Sequence, residues 1–292
     1  MTTLHRLAAL LALAAGAAAL AGAAGADGGP SPGVLFGGAG VSAPGGAVRY
    51  VALPSDRGTL VESIRIRDGK VLRWFPLRGP LLGIPVVAGD GTTDGLSHDR
   101  RTLVLVSSAP GPGAATATRL VLFDTQRFRV AGALTLRGSF SFDALSPDGS
   151  TVYLIQYTSA RDWSRYRVRA YDVRAGRLLP GAIVDKREPG ETMAGAPVTR
   201  ATSADGGWVY TLYGRQAQAP FVHALDTRRR SAVCIDLPWR AGQQGLWTVR
   251  MALGREGLVL SQRGRGRLAV VDLRTFTVRA ISPLVGPGSS AG

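Results

Sequence analysis

The chain is poor in the residues that build metal sites and covalent cross-links. It has one cysteine, Cys234, and three histidines, of which only His98 and His223 lie beyond the first 26 residues. One cysteine cannot form an intramolecular disulfide, and two histidines cannot build a histidine-rich metal site. We therefore predict no bound metal, no other cofactor, and a fold that its apolar core stabilises.

Lysine is also scarce, although the chain is strongly basic, with a formal net charge of +15. Lys70 and Lys186 are the two lysines among 35 basic residues, so the remaining 33 are arginine. Nucleic-acid binding is one interpretation of this charge, but the arginines are spread over the whole chain instead of forming one stripe. The arginine, alanine and glycine usage is typical of a GC-rich genome, and we predict no nucleic-acid partner.

Long hydrophobic runs are absent after the first 26 residues. His5 and Arg6 are followed by the apolar run Leu7–Leu20 and by the small-residue sequence Ala24-Gly25-Ala26. This order predicts a secretory signal peptide over 1–26 and a secreted mature chain; an uncleaved N-terminal anchor is the alternative. A Gly/Pro/Ser leader over 27–33 and a flexible tail over 286–292 would flank a single domain at 34–285.

Two short patterns recur along that domain. The first is a Ser-initiated turn before a short apolar run; the second is a strand that ends in Asp. The turns begin at Ser42, Ser97, Ser146 and Ser203, with a serine-free copy at Gly254. The aspartates are Asp68, Asp124, Asp172, Asp226 and Asp272.

The two patterns keep step over five copies, at spacings of 46 to 57 residues. Repeats of this length with short strands are typical of propeller blades. Pro76, Pro180, Pro238 and Pro283 all fall in the last run of a copy, where an outer strand tolerates proline. We predict an all-β propeller of about five four-stranded blades, with six or seven less favoured.

The sequences SPDGSTVYLIQY and YRVRAYDVRAGRLL resemble the repeats of secreted bacterial propellers of the YVTN or TolB type. The chain also resembles exported proteins of high-GC Gram-positive bacteria that have no assigned activity. The resemblance implies a propeller fold and export. It transfers no catalytic residue to this chain, because these repeat motifs are structural.

Three carboxylates are candidates for the mouth of the central channel. Asp90 and Asp94 lie in a Gly/Thr-rich segment, and Asp143 follows the alternating sequence Ser-Phe-Ser-Phe, which we interpret as an inner strand. Convergent carboxylates there would support a hydrolase or lyase. A calcium site at Asp90–Gly95 is a weaker alternative, since the terminal glutamate of an EF-hand loop is missing.

A basic stretch with aromatic residues is the candidate ligand-binding site. It comprises Arg161, Trp163, Arg165, Tyr166, Arg167 and Arg169. Arginine binds phosphate and carboxylate through paired hydrogen bonds, so an anionic cell-envelope polymer or a protein partner would suit it. A solvated strand edge is the alternative. No Gly-x-Ser-x-Gly motif is present, so we predict a monomeric, non-catalytic binding or scaffold module, with an extracellular propeller enzyme as the alternative.

Overall fold

The computed structural model describes residues 40–107, 117–159, 162, 165–187, 193–242 and 244–284. Their strands form five four-stranded antiparallel sheets, and the four strands of each sheet are consecutive in sequence. The protein is therefore a β-propeller whose five sheets match the predicted blades. No helix of the described residues has the length and apolar character needed to cross a membrane.

Each blade adds its strands in chain order, and the first strand has two residues in blades 1 and 2 and six or seven in blades 3 to 5. Blade 1 comprises β1 (Val41–Ser42), β2 (Val48–Ser55), β3 (Gly58–Arg65) and β4 (Val71–Arg78). Blade 2 comprises β5 (Leu82–Gly83), β6 (Thr102–Ser107), β7 (Ala117–Asp124) and β8 (Arg129–Arg137). Blade 3 comprises β9 (Phe140–Leu145), β10 (Thr151–Tyr157), β11 (Tyr166–Asp172) and β12 (Arg177–Leu178).

The last two blades follow the same plan. Blade 4 comprises β13 (Ala196–Thr202), β14 (Trp208–Gly214), β15 (Phe221–Asp226) and β16 (Ser231–Asp236). Blade 5 comprises β17 (Val249–Gly254), β18 (Gly257–Gln262), β19 (Gly266–Val271) and β20 (Val278–Ala280). The 3-10 helix η1 (Gln244–Thr248) precedes blade 5.

The Ser-initiated turns form the same hydrogen bonds in blades 2, 3 and 4. In each, the serine hydroxyl donates to an aspartate two residues later, at 2.6–2.7 Å. The serine oxygen then accepts the backbone N–H five residues later, at 2.9 Å. These serines and aspartates are Ser97 and Asp99, Ser146 and Asp148, and Ser203 and Asp205. The side chains thus close the first hairpin of each blade.

The strand-ending aspartates close the hairpin between the third and fourth strands. In all five blades the aspartate accepts backbone N–H groups two or three residues later. In blades 1 and 5 the aspartate lies just after the strand instead of ending it. This local bond satisfies donors that no strand partner reaches, which explains why the residue recurs once in every blade.

The proline prediction needs a correction. Pro76 lies in the edge strand β4 as expected, but Pro180, Pro238 and Pro283 lie two or three residues beyond β12, β16 and β20. The fourth run of blade 3, expected over Leu178–Val184, is reduced to the two-residue strand β12 and a single bridge between Val168 and Ile183. Proline lacks the N–H that a longer ladder would need.

The apolar cores lie between neighbouring blades. Leu120 and Leu134 of blade 2, for example, contact Phe140 and Phe142 of blade 3. Other clusters join blade 1 to 2, blade 3 to 4 and blade 4 to 5. None of these clusters of described residues joins blade 5 to blade 1, and on blade 1 the Trp74 side chain is 64% exposed. The ring is therefore held by four apolar interfaces and by contacts near its axis.

Replacement of one turn residue, Arg100, should stabilise the protein. Gly149 and Gly206 adopt φ values of +70° and +67° at the fourth turn position, and Arg100 occupies the same conformation in blade 2 at +63°. A side chain there costs about 1–2 kcal/mol, part of which the flexibility of unfolded glycine offsets. We expect Arg100→Gly to raise the free energy of unfolding in urea by about 0.5–1 kcal/mol.

The matched control is Gly149→Ala, which should act in the opposite direction. A Cβ at residue 149 would lie 2.6 Å from the Thr102 hydroxyl. If Arg100→Gly instead lowered the free energy of unfolding, the positive φ of Arg100 would not be a source of strain in blade 2.

Candidate functional site

A segment of blade 2 crosses the axis of the propeller. It comprises residues 86–94, which we call the axial segment. The N–H groups of Gly89 and Asp90 donate to two consecutive carbonyls of β13 in blade 4, at 2.9 and 3.1 Å. The Thr93 hydroxyl donates to the Gly40 carbonyl beside blade 1 at 2.6 Å. These bonds tie three blades together and place backbone where a propeller has its central channel.

Two β-bulges present backbone carbonyls toward the axis. The pairing of β9 with β10 shifts register at Asp143, and the pairing of β13 with β14 shifts at Val198. A bulged residue has no direct partner on the neighbouring strand, so its backbone groups bond elsewhere. The Val198 carbonyl accepts Asp90 N–H from the axial segment, and the Asp143 carbonyl accepts an N–H of Arg200.

Arg200 is the centre of the site, and its side chain is only 3% exposed. Its Nη2 donates to Asp143 Oδ1 at 2.5 Å, Nη1 lies 3.5 Å from Asp94 Oδ2, and Nε donates to Thr211 Oγ1 at 3.0 Å. One guanidinium from blade 4 therefore pairs with a carboxylate from blade 2 and another from blade 3. A buried cation of this kind needs both the charges and the hydrogen bonds.

Burial and the pairing with Arg200 act on the pKa of Asp94 in opposite directions. Burial raises the pKa of Asp94, and the charge of Arg200 only partly opposes this effect. Burial also acts to lower the pKa of Arg200, but the charges of Asp143 and Asp94 outweigh it, so the pKa of Arg200 is raised. Arg200 is thus a permanent cation. Asp94, whose side chain is 21% exposed, is the member that solvent can reach.

A row of polar side chains runs outward from Arg200 across blade 4. Arg200, Thr211, His223 and Cys234 are direct cross-strand neighbours on β13, β14, β15 and β16. Burial lowers the pKa of His223 from 6.5 to about 4, so the ring is neutral at pH 7. The row faces blade 3 and connects the axis with the outer edge of blade 4.

The predicted channel carboxylates are brought together in part. Asp94 and Asp143 come close together, and the guanidinium of Arg200 lies between them and pairs with both. Asp90 accepts the N–H and hydroxyl of Thr92, and its other oxygen lies 3.8 Å from Arg250. Each carboxylate thus has an arginine partner from another blade. In the described part of the chain, no three His, Cys, Asp or Glu residues cluster as metal ligands would, the Asp90–Gly95 loop included.

The predicted arginine and aromatic site is divided. Arg161 and Trp163 lie outside the described residues. Tyr166 is 3% exposed and packs toward blade 4. Arg167 and Arg169 alternate with it and lie on the opposite side of β11, and Arg165 directly precedes this strand.

Of these three arginines, Arg169 is engaged within its own blade. Its guanidinium donates to Gln156 Oε1 at 2.7 Å and to the Leu179 carbonyl at 3.0 Å. Arg165 and Arg167 are exposed. Tyr166 is therefore not a surface platform for a ligand, and of the four described residues of the predicted site two, Arg165 and Arg167, are exposed.

Sequence reasoning missed Arg200, although a signal was present. Asp94, Asp143 and Arg200 each lie three residues before the turn serine of their blade. Equivalent positions on the inner strands of consecutive blades meet at the axis, so charges of opposite sign at that one repeat position predict a contact.

Comparisons with known proteins show likeness at the level of the fold. No protein-family model matches the chain, and no curated protein matches it. Among solved structures, dihydro-heme d1 dehydrogenase NirN, in complex with DHE, is 16% identical over 86% of this chain, with a TM-score of 0.48. This chain spans 47% of the NirN chain, about half its length.

Two further solved structures are similar. A functionally unknown protein from Desulfotomaculum acetoxidans is 10% identical over 80% of this chain and 78% of its own, with a TM-score of 0.43. The β-propeller domain of Cps50 (Swd1) from Myceliophteria thermophila is 12% identical over 80% of this chain and 70% of its own, with a TM-score of 0.45. The five sheets themselves establish the propeller.

Removing the central cation should destabilise the whole ring. Arg200→Gln leaves two carboxylates near the axis without a counter-charge, which should lower the free energy of unfolding by about 3–5 kcal/mol at pH 7. Without Arg200 the folded-state pKa of Asp94, which burial already raises, lies further above the unfolded one, so the deficit should shrink as pH falls toward 4. Urea unfolding at pH 7 and pH 4.5 measures both effects.

Arg250→Gln is the control, because the Arg250 side chain is 54% exposed and its carboxylate partner is 3.8 Å away. Its cost should not exceed about 1 kcal/mol. Equal costs for the two variants would show that Arg200 does not hold the axis.

Proposed function

We propose that the protein is an exported, non-catalytic binding module that engages an anionic polymer of the cell envelope. The observation that carries this proposal is that each carboxylate near the axis lies beside an arginine of opposite charge. Asp94 and Asp143 pair with Arg200, and Asp90 lies within 3.8 Å of Arg250. A hydrolase or lyase needs carboxyl groups held in reach of a substrate, with their charge available to it.

Exposed arginines supply the binding surface in this proposal. Arg165 and Arg167 are exposed and form no side-chain hydrogen bond or ion pair with other described residues. Arg165 directly precedes β11 and Arg167 is the second residue of that strand, so both exposed side chains can contact the same extended ligand. Guanidinium groups bind phosphate and carboxylate in a planar, paired geometry, and a positive surface increases the association rate of polyanions.

Export belongs to the proposal as well. The basic, apolar and small-residue order of residues 1–26 supports it, with processing after Ala26. Membership of the YVTN or TolB type of secreted propeller is proposed on the repeat sequences alone. The abundant anions outside a cell are the phosphate- and carboxylate-bearing polymers of its envelope, which suit a chain of this charge.

Two observations favour other candidates. A protein partner would be favoured by the exposed apolar side chains of blade 1, among them Ile66, Val71 and Trp74 at 52%, 43% and 64% exposure. An enzyme would be favoured by Asp94, because its carboxyl is both partly exposed and raised in pKa. The arginine partners of all three axial carboxylates make the enzyme the weaker candidate.

Paired substitutions of equal charge test the proposed surface. The double variant Arg165→Gln/Arg167→Gln should elute from a phosphate-bearing matrix at clearly lower salt than the parent protein. The control, Arg255→Gln/Arg263→Gln, removes two exposed arginines of blade 5 that also have no side-chain partner among the described residues. Salt screens such contacts over about 8 Å at physiological ionic strength, so elution salt is the natural readout.

An equal shift for both double variants would contradict the proposed surface, since retention would then follow total charge alone. Retention of the parent protein on a phosphate-bearing matrix but not on a carboxylate-bearing one would identify the polymer class.

A further inference from the structure

Three side chains with soft or aromatic donor atoms meet at the outer end of the polar row in blade 4. Cys234 Sγ lies 3.9 Å from Met193 Sδ and 3.9 Å from His223 Nδ1. Cys234 and His223 are direct cross-strand partners, and Met193 precedes β13 at the interface with blade 3. We call Met193, His223 and Cys234 the thiol cluster.

The two distances from the Cys234 sulfur suit a three-coordinate metal site. Metal–thiolate bonds are about 2.3 Å long, and two such ligands separated by 120° lie about 4 Å apart. Both distances from the Cys234 sulfur agree with this value. The His223 imidazole is held in position as a metal ligand, because the residue is only 2% exposed and its Nδ1 faces the Cys234 thiol.

A further observation at the same ring points to a missing partner. His223 Nε2 is buried and has no hydrogen-bond partner among the described residues. Buried ring nitrogens normally have partners, and the polar contact of Nδ1 among the described residues is the one with the Cys234 sulfur, so this nitrogen is directed at the thiol cluster. With a metal on Nδ1, the proton of the neutral ring resides on Nε2.

The donor atoms select the metal. A thiolate, a thioether and an imidazole form a soft set, which favours Cu(I) over the harder divalent ions. The apolar surroundings of the thiol cluster also favour Cu(I), since Ile155, Val168 and Phe221 pack in the same apolar cluster. A thiolate and Cu(I) have no net charge together, whereas a divalent ion would leave a positive charge among apolar side chains.

Access to the cluster comes from the edge of blade 4. Cys234 is partly exposed on the outer strand β16, while Met193 and His223 are buried behind it. Its backbone is held in place, because Cys234 N–H donates to Asp185 Oδ2 at 2.8 Å and the Cys234 carbonyl accepts Arg187 Nη2 at 2.8 Å. The backbone of Cys234 is therefore fixed at the outer edge of blade 4, where the residue as a whole is partly exposed.

We propose that Met193, His223 and Cys234 form a binding site for one Cu(I) ion. Binding forms bonds from the metal to Sγ, Sδ and Nδ1, and the Cys234 thiol loses its proton to solvent. The histidine count led us to expect no metal. The thioether of Met193 was not among the ligands considered, because only the fold brings it close to Cys234.

Competition with a chromophoric Cu(I) chelator tests this proposal on the full chain. Under anaerobic, reducing conditions the parent protein should withdraw one equivalent of Cu(I) from the bicinchoninate complex. Cys234→Ser should abolish the transfer, and Met193→Leu should weaken the affinity at least tenfold. X-ray absorption at the copper edge should show two sulfur neighbours and one nitrogen neighbour.

Met251→Leu is the matched control, because Met251 is similarly buried, at 8% against 6% for Met193, and lies in the core between blades 4 and 5. This variant should keep the parent affinity. Circular dichroism of each variant establishes that it is folded before its affinity is interpreted.

Three results would overturn the proposal. The parent protein could leave Cu(I) with the chelator. Met193→Leu could retain the parent affinity, which would mean that the thiol binds by itself. Cys234→Ser could still take up one equivalent, which would place the copper elsewhere, for instance at Met1 and His5 of the N-terminal segment.

Discussion

The guanidinium of Arg200 links three blades near the axis. It comes from blade 4, pairs with Asp143 of blade 3 at 2.5 Å and lies 3.5 Å from Asp94 of blade 2. A charge buried to this extent is tolerated only while its partners remain in place, so the positions of β9, β13 and the axial segment depend on one another. The axial segment adds backbone hydrogen bonds to the same region and makes the axis the most constrained part of the molecule.

This constraint has consequences for function. The carboxylates that a propeller enzyme would present at its channel are occupied by arginines, and backbone crosses the axis at the level of residues 86–94. The binding surface and the copper site that we propose both lie away from this axis. Blade 4 illustrates this arrangement, because its polar row begins at a permanent ion cluster around Arg200 and ends at the partly exposed residue Cys234.

The blades are held together unequally around the ring. Four interfaces are closed by apolar clusters, while blades 5 and 1 share none among the described residues. Instead, the axial segment bonds to Gly40 beside blade 1, and Asp90 lies 3.8 Å from Arg250 in blade 5. Among the described residues, the contacts of the axial segment with blades 1 and 5 are thus polar, and Trp74 on blade 1 is exposed.

The amino-acid sequence by itself determined the fold class and the position of each blade. The turn serines and aspartates act through hydrogen bonds that span only two to five residues, so their pattern can be read without knowledge of the rest of the chain. The same local logic predicted the second and third strands of the blades. It could not predict that β12 would be two residues long, because the length of an edge strand depends on what packs against it.

The sites were decided by the tertiary structure. Asp143 and Arg200 are 57 residues apart, and Met193 and Cys234 are 41 residues apart. Their contacts depend on how blades 2, 3 and 4 face one another and on bulges that re-aim individual residues, and neither property is encoded in a local pattern. Tyr166 is the clearest case. Its neighbours in sequence suggested a surface platform, but strand alternation and the interface with blade 4 placed its ring in the core.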